Sequence, residues 1–306
     1  MRLGSIEQSA MVLADHAVLL LGAGIAAAAL FVLVVIGAVR LAARAGPRLL
    51  RALRAGAGRL PGGNALLALF AHSRTLLPGL YVTTHVALGL LAVAAAGIFL
   101  VLAEEAVAGG AFVAFDEAFA QALQDRRTPR GDRVFALISF FGAGRVLTLL
   151  SAIGVVILVR RGDRLVALVW GLSQAGGGLL NYLLKETFDR ARPAFADAAF
   201  GVTGWSFPSG HAMGTFVFCG VAGYLLARAT RSWSVAAVTV AVAAGWSMAM
   251  AFSRLYLGVH YASDVVAGLV AGAAWVAVCV SGMEVIRRRR GARNSRPAVP
   301  VGRRTV

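Results

Sequence analysis

The chain has few charged residues for its length. Charged side chains make up only 14% of its 306 residues, whereas soluble domains carry about 25%. Hydrophobic residues make up 59% of the chain, and the mean hydropathy is +0.77. A composition this poor in charge excludes an ordinary soluble domain and predicts a protein that crosses a membrane several times.

The sequence also lacks clusters of metal-ligating residues, and it contains a single lysine. The two cysteines, Cys219 and Cys279, lie in apolar runs and belong to no CxxC or Cys/His cluster. No cluster of Asp, Glu and His has the spacing of a metal site, so we expect neither a metal nor another cofactor. Of the 30 basic residues only one, Lys185, is lysine.

The arginines give the chain a net charge of +16. In a soluble protein such a charge would suggest nucleic-acid binding. Here the arginines lie between apolar runs, where they set topology and contact anionic lipid headgroups. The expected partner is therefore the bilayer and not a nucleic acid.

Seven apolar runs are interpreted as membrane spans. The stretch from Arg40 to Arg74 after the first run carries seven arginines, and no acidic residue occurs there before Leu80. The positive-inside rule places this linker in the cytoplasm, the N-terminus outside and the C-terminus inside. The predicted spans are residues 17–39, 80–103, 146–159, 165–184, 211–227, 235–252 and 261–286.

The segment between the second and third predicted spans is expected to lie outside the membrane. Phe112, Phe119 and Leu123 recur at helical spacing opposite Asp116, which predicts an interfacial helix. Residues 134–141 are interpreted as a short re-entrant or interfacial piece, because glycines interrupt the apolar run after them. The fold class is therefore an all-α membrane bundle.

Three polar islands interrupt the apolar sequence between residues 185 and 264. The predicted topology places all three at the outer ends of the last four helices. Side chains that are distant in sequence should therefore meet at one face of the membrane. The islands are residues 185–193, residues 208–211, and Ser253-Arg254 with His260 and Asp264.

The cations of these islands are suited to binding a phosphate. Lys185 provides a point charge and Arg192 a planar fork, which are the two ways in which side chains bind phosphate oxygens. Ser209 and Gly210 begin a predicted helix, whose free N–H groups can cradle an anion. Arg254 adds a third cation from another helix.

The histidines of the islands are candidates for catalysis. His260 and Asp264 are four residues apart, so on a helix they would share one face and the carboxylate could hold an imidazole N–H. The other ring nitrogen would then be a better nucleophile or base. His211, from a different helix, could protonate a leaving oxygen. Arg190, within the first island, is interpreted as a solvated loop charge.

These motifs resemble the three-part signature of the type 2 phosphatidic acid phosphatase (PAP2) superfamily. The matching residues are Lys185-x6-Arg192-Pro193, Pro208-Ser209-Gly210-His211 and Ser253-Arg254-x5-His260-x3-Asp264. The resemblance implies a six-helix phosphatase domain over residues 80–286. Residues 1–79 would add a further span and a basic cytoplasmic linker, and residues 287–306 a basic cytoplasmic tail.

The resemblance also implies a role for each residue. His260 would attack phosphorus and become a phosphohistidine, with Asp264 orienting it. His211 would protonate the leaving group and then activate water. No metal would take part, and the phosphoryl oxygens would be held by Lys185, Arg192, Ser209, Gly210 and Arg254.

The expected protein is a multi-pass lipid phosphatase of the cytoplasmic membrane, a hydrolase of phosphoric monoesters or acid anhydrides acting at the outer face. Substrates of the expected kind are undecaprenyl pyrophosphate, phosphatidylglycerol phosphate and phosphatidate. Two alternatives remain: a lipid phosphotransferase with the same intermediate, and a non-catalytic transporter of lipids or anions. Vanadium haloperoxidases share this type of site, but that resemblance implies a soluble protein, which the predicted spans contradict.

Overall fold

The computed structural model describes residues 3–15, 79–109, 111–196, 203–230 and 232–294. Within these ranges the chain forms nine α-helices and no strand, which confirms the all-α fold class. The described residues do not include the predicted first span, residues 17–39. They also exclude the linker up to residue 78 and the tail from residue 295. The helices are α1 (Leu3–Asp15), α2 (Gly79–Ala108), α3 (Ala111–Gln124), α4 (Pro129–Phe141), α5 (Gly144–Arg160), α6 (Arg164–Phe188), α7 (Gly210–Ala229), α8 (Trp233–Tyr256) and α9 (Ala262–Asn294).

Four of these helices, α2, α7, α8 and α9, are long and apolar enough to cross a membrane. The helices α4 and α5 meet at an angle of 43° and together qualify as a fifth span. The predicted short piece at residues 134–141 is the second half of α4. Thr128 caps the start of α4 by accepting a hydrogen bond from the Gly131 N–H at 3.1 Å.

Helix α6 corresponds to the predicted fourth span but is less apolar than the others. Glycines and the polar residues Gln174 and Asn181 interrupt its sequence. Both polar residues face a cavity inside the bundle, where polar groups are tolerated better than on a lipid-facing surface. A helix lies at each of the six core positions, whereas the six-span core and the total of seven spans stay predictions.

Helices α7 and α9 approach each other through glycine. A Cβ atom at Gly268 would lie 2.6 Å from the Ser209 carbonyl oxygen, and one at Gly272 would lie 3.2 Å from the Cβ atom of Phe216. Only glycine permits backbones to approach this closely in a helical bundle. The close packing brings the start of α7 beside the start of α9.

A layer of two helices, α1 and α3, lies against α8 and the turn that follows it. Phe119 and Leu123 of α3 are buried with Ala10 of α1 and with Leu257. Arg126, which follows α3, forms an ion pair at 2.5 Å with Asp15 at the end of α1. The predicted amphipathic helix is therefore present, and it packs on the protein itself.

The last helix is longer than predicted. It continues from Ala262 to Asn294 without a break at the arginine cluster that begins at Arg287. The predicted boundary at residue 287 is therefore not the end of the helix.

We predict that Gly268→Ala lowers the unfolding temperature in detergent. The new methyl group would meet main-chain atoms of α7, and overpacking of this kind costs about 1–3 kcal/mol. Gly282→Ala is the matched control on the same helix, because nothing lies within 4 Å of its Cβ position. Equal unfolding temperatures for the two variants would contradict the close approach.

Candidate active site

His260 and Asp264 meet at the turn between α8 and α9. The distance from His260 Nδ1 to Asp264 Oδ2 is 3.4 Å. The pair does not share a helical face as the spacing predicts, because His260 precedes the first residue of α9, Ala262. Asp264 lies in the first turn, and its side chain reaches back to accept a hydrogen bond from the Tyr261 N–H at 2.9 Å. This turn brings the carboxylate to the ring.

Hydrogen bonds define which nitrogen of His260 carries the proton. Arg192 Nη1 lies 3.2 Å from His260 Nε2, and a guanidinium has donors but no acceptors. Nε2 therefore accepts, and the proton resides on Nδ1, which faces Asp264 and the Ser206 hydroxyl at 3.3 Å. Burial lowers the pKa of His260 to about 3, although Asp264 opposes this shift. The ring is neutral at neutral pH, with its lone pair on Nε2.

The loop before α7 is held by the cations of the first island. Arg192 donates from Nε to the Gly204 carbonyl at 2.8 Å and from Nη1 to the Val259 carbonyl at 2.8 Å. Lys185 donates to the carbonyls of Trp205 and Ser206. These bonds bring the first island against both the second and the third.

Two buried donors in the site have unused hydrogen-bonding capacity. Ser209 precedes α7, but its hydroxyl makes no capping bond and has no partner. Arg254 lies in the last turn of α8 with 5% of its surface exposed; one Nη atom donates to Ser139, while Nε has no partner. Buried donors of this kind are rare and call for an acceptor. An oxyanion would satisfy both.

Gly210 allows the start of α7 to lie close to α6. A Cβ atom at this position would be 2.8 Å from the side-chain oxygen of Asn181. The following residue, His211, is half-buried. A side chain larger than hydrogen at Gly210 would therefore meet the Asn181 side chain, which would have to move away from the start of α7.

The three islands converge on His211. Its ring lies within electrostatic reach of Arg254, His260, Arg192 and Lys185. Asp264 joins this cluster through His260, and Ser209 joins it through its N–H, which donates to the Asp264 carbonyl at 2.9 Å. Among the described residues, no three His, Cys, Asp or Glu side chains are grouped as metal ligands would be.

Arg190 is not a solvated loop charge, so that prediction was wrong. It lies between two buried carboxylates, with Nη1 2.7 Å from Asp264 Oδ1 and Nη2 2.9 Å from Asp116 Oδ2. The guanidinium also stacks over the Tyr261 ring, 4.4 Å from the centroid. Although burial opposes it, the two carboxylates raise the pKa of Arg190.

Sequence reasoning also missed Asp116 and Ser206. Asp116 was placed on the polar face of α3, yet only 2% of its surface is exposed. Burial raises the pKa of its carboxyl, against the effect of hydrogen bonds from Ser263 and Arg190. Ser206 donates to Asp264 Oδ2. A single serine before Pro208 carries no spacing signal that could have identified it.

A partly open cavity of about 600 Å³ adjoins the site. It lies between α5, α6 and α7 and reaches Gly210 and His211. Most of its lining is apolar, including Leu147, Val155 and Val217. An elongated apolar group attached to a phosphate would fit such a space.

Together, the bundle and the site define a class: a helical membrane protein with a buried histidine among cations, an arrangement that is suited to phosphoryl chemistry. Comparison with known proteins agrees with this. The PAP2 superfamily profile matches residues 166–288. Phosphatidylglycerophosphatase B of Bacillus subtilis is 34% identical over 179 residues, which cover 57% of this chain and 85% of that protein. The chain belongs to the PAP2 superfamily.

Two further similarities extend this assignment. Lipid A 4'-phosphatase of Bacteroides thetaiotaomicron is 31% identical over 104 residues, covering 31% of this chain and 43% of that protein. The crystal structure of a transmembrane PAP2-type phosphatidylglycerolphosphate phosphatase from Bacillus subtilis superposes with a TM-score of 0.58 and 32% identity. That alignment covers 64% of this chain and 98% of the other. The protein is thus a multi-pass membrane phosphatase of the PAP2 type.

We predict that orthovanadate, a phosphate-like oxyanion, raises the unfolding temperature of the purified protein. A ligand at 100 times its Kd stabilises the folded state by about 2.7 kcal/mol. Arg254→Ala should lose most of this increase, because it removes a buried donor to the oxyanion. Arg161→Ala, at the exposed end of α5, is the control and should keep the increase. An unchanged increase in Arg254→Ala would contradict an oxyanion site at this position.

Proposed function

We propose that this lipid phosphatase removes a terminal phosphate from a lipid phosphate or pyrophosphate through a phosphohistidine formed on His260. The observation that carries the proposal is the orientation of the His260 ring. Its Nδ1–H faces Asp264 while Nε2 faces the guanidinium of Arg192. A neutral imidazole held in this way directs a lone pair to the place where cations would bind a phosphoryl group.

In the first step, Nε2 of His260 attacks phosphorus and the bond from phosphorus to the leaving oxygen breaks. His211, which enters this step as an imidazolium, donates a proton to that oxygen and becomes neutral. In the second step, His211 removes a proton from water, which attacks the phosphohistidine. Inorganic phosphate leaves and both histidines return to their starting states.

The cations stabilise the charge that develops on the phosphoryl oxygens in both steps. Lys185, Arg192 and Arg254 supply positive charge, and the hydroxyl of Ser209 and the N–H of Gly210 supply further donors. In a buried site, such preorganised groups act more strongly than they would in water. We propose that these groups replace the metal ion that other phosphatases use.

The substrate is proposed to be a glycerophospholipid phosphate or a polyprenyl pyrophosphate. The names of the two relatives, phosphatidylglycerophosphatase B and lipid A 4'-phosphatase, support a phosphorylated lipid. The apolar cavity beside His211 supports it too, because a lipid chain could lie there while the phosphate contacts the cations. Candidates are phosphatidylglycerol phosphate, phosphatidate and undecaprenyl pyrophosphate.

The site is proposed to open at the outer face of the cytoplasmic membrane. The arginine-rich segments support this orientation, because Arg160, Arg161 and Arg228 lie at the helix ends opposite the site. The N-terminus would then be outside and the C-terminus inside. A phosphate exposed on the outer leaflet would reach the cations directly.

We predict that His260→Ala abolishes phosphoenzyme formation from a lipid labelled with ³²P on its terminal phosphate. The label on the wild-type protein should be labile in acid and stable in base. His211→Ala should slow release of the label by about 10²- to 10⁴-fold, because it removes the acid and base. His85→Ala is the control, since this ring contacts the Ser281 carbonyl away from the site. Equal phosphate release by wild type and His260→Ala would refute an enzymatic role and favour a transporter.

We predict that phosphate release from a panel of lipid phosphates in detergent continues unchanged in EDTA. The cations at the site already supply the charge that a metal would provide. Added alcohol separates hydrolysis from phosphoryl transfer: capture of the label by alcohol in preference to water would identify a phosphotransferase. Loss of activity in EDTA would contradict the metal-independent mechanism.

We predict that a membrane-impermeant maleimide labels Gln121→Cys on intact cells and does not label Arg161→Cys. Both positions are exposed, and they lie on opposite sides of the bundle in the proposed topology. The background carries Cys219→Ala and Cys279→Ala. Labelling of Arg161→Cys but not of Gln121→Cys would show that the chain has the opposite orientation in the membrane.

A further inference from the structure

The start of α9, which carries Asp264, is capped by a side chain from a distant helix. Asp116 of α3 accepts a hydrogen bond from the Ser263 N–H at 3.0 Å and another from the Ser263 hydroxyl. The first N–H groups of a helix have no partner within the helix, and an acidic side chain is a preferred acceptor for them. An outer helix therefore holds the first turn of the helix that carries the catalytic carboxylate.

Arg190 joins this cap to Asp264. The guanidinium donates to Asp116 Oδ2, to Asp264 Oδ1 and to the Ser263 hydroxyl, all at 2.7–2.9 Å. Its exposed fraction is 9%, and those of the two carboxylates are 2% and 0%. Both terminal nitrogens of Arg190 thus donate to buried carboxylates, whereas those of Arg192 donate to main-chain carbonyls and to the His260 ring.

The bond to Arg190 decides which oxygen of Asp264 faces His260. With Oδ1 held by Arg190, Oδ2 is left for His260 Nδ1 and for the Tyr261 N–H. The orientation of the imidazole follows from the orientation of this carboxylate. A rotation of the carboxylate would change the direction of Nε2, the atom that attacks.

We propose that Asp116 and Arg190 are positioning residues that hold the Asp264–His260 pair in its reactive orientation, so that the outer helix α3 is part of the active site. This inference rests on the proposed phosphohistidine mechanism. Asp116 lies outside the segment matched by the superfamily profile, residues 166–288. Neither residue touches the reacting atoms: both act through Asp264.

The decisive test measures the rate of phosphoenzyme formation on full-length protein in detergent, together with kcat and KM. Asp116→Asn and Arg190→Gln should each slow phosphorylation of His260 by about 10- to 100-fold, the effect expected for a displacement of reacting groups by about 1 Å. KM should stay within about twofold, because the cations that hold the phosphate are untouched. The vanadate-induced rise in unfolding temperature should also persist.

Two further comparisons separate positioning from general stability. Asp116→Glu and Arg190→Lys keep the charges and should recover part of the lost rate. The double variant Asp116→Asn/Arg190→Gln should be little slower than either single variant, because the two residues act as one unit. Asp125→Asn is the matched control; this exposed carboxylate follows α3, accepts a hydrogen bond from Gln121 and should leave the rate unchanged.

Each outcome supports or overturns the inference. Wild-type rates of labelling in Asp116→Asn or Arg190→Gln would overturn it while leaving the proposed function intact. Absence of any phosphoenzyme in the wild-type protein would overturn the proposed function. If Asp116→Asn does not fold, Asp116→Glu and Arg190→Lys carry the test, and wild-type rates in both refute it. If Asp116→Asn and Arg190→Gln lose vanadate binding, raise KM and lower the rate together, the two residues have a purely structural role.

Discussion

The carboxylate of Asp264 is the point at which the separate segments of the site are joined. Its side chain accepts from Arg190 of the first island, from Ser206 before the second, and faces His260 of the third. Its main-chain carbonyl accepts the Ser209 N–H at 2.9 Å. Because this residue has no exposed surface, these bonds act in a medium of low dielectric constant, where they are strong when satisfied and costly when broken.

Burying so many charges in a membrane protein is expensive, and the structure limits the cost by pairing them. Arg190 is matched by two carboxylates, and Lys185 is held by main-chain carbonyls. Within the site, the hydroxyl of Ser209 and Nε of Arg254 keep unused donors. A site with its donors already oriented needs little rearrangement when a phosphoryl group arrives, which is the physical basis of electrostatic catalysis.

The matched segment of the superfamily, residues 166–288, covers α6 to α9, and it contains every residue of the three motifs. The described structure shows that these helices are completed by contacts from outside that segment. Ser139 of α4 accepts from Arg254, and Asp116 of α3 holds the start of α9. The residues of the three motifs can be recognised from short stretches of sequence, whereas the side chains that pack against them from α3 and α4 belong to helices with no motif of their own.

The sequence by itself determined the helical membrane fold and the convergence of the three islands, because hydropathy, charge distribution and motif spacing are local properties of the chain. Tertiary structure alone decided which charges are buried. In the sequence Arg190 resembles a solvated loop residue. In the structure it forms an ion pair with Asp116 of α3, which lies 74 positions earlier in the chain. The tertiary structure also decided that His260 contacts Asp264 across a turn and not along one face of a helix. Burial and partner choice depend on packing between distant segments, and no short stretch of sequence records that packing.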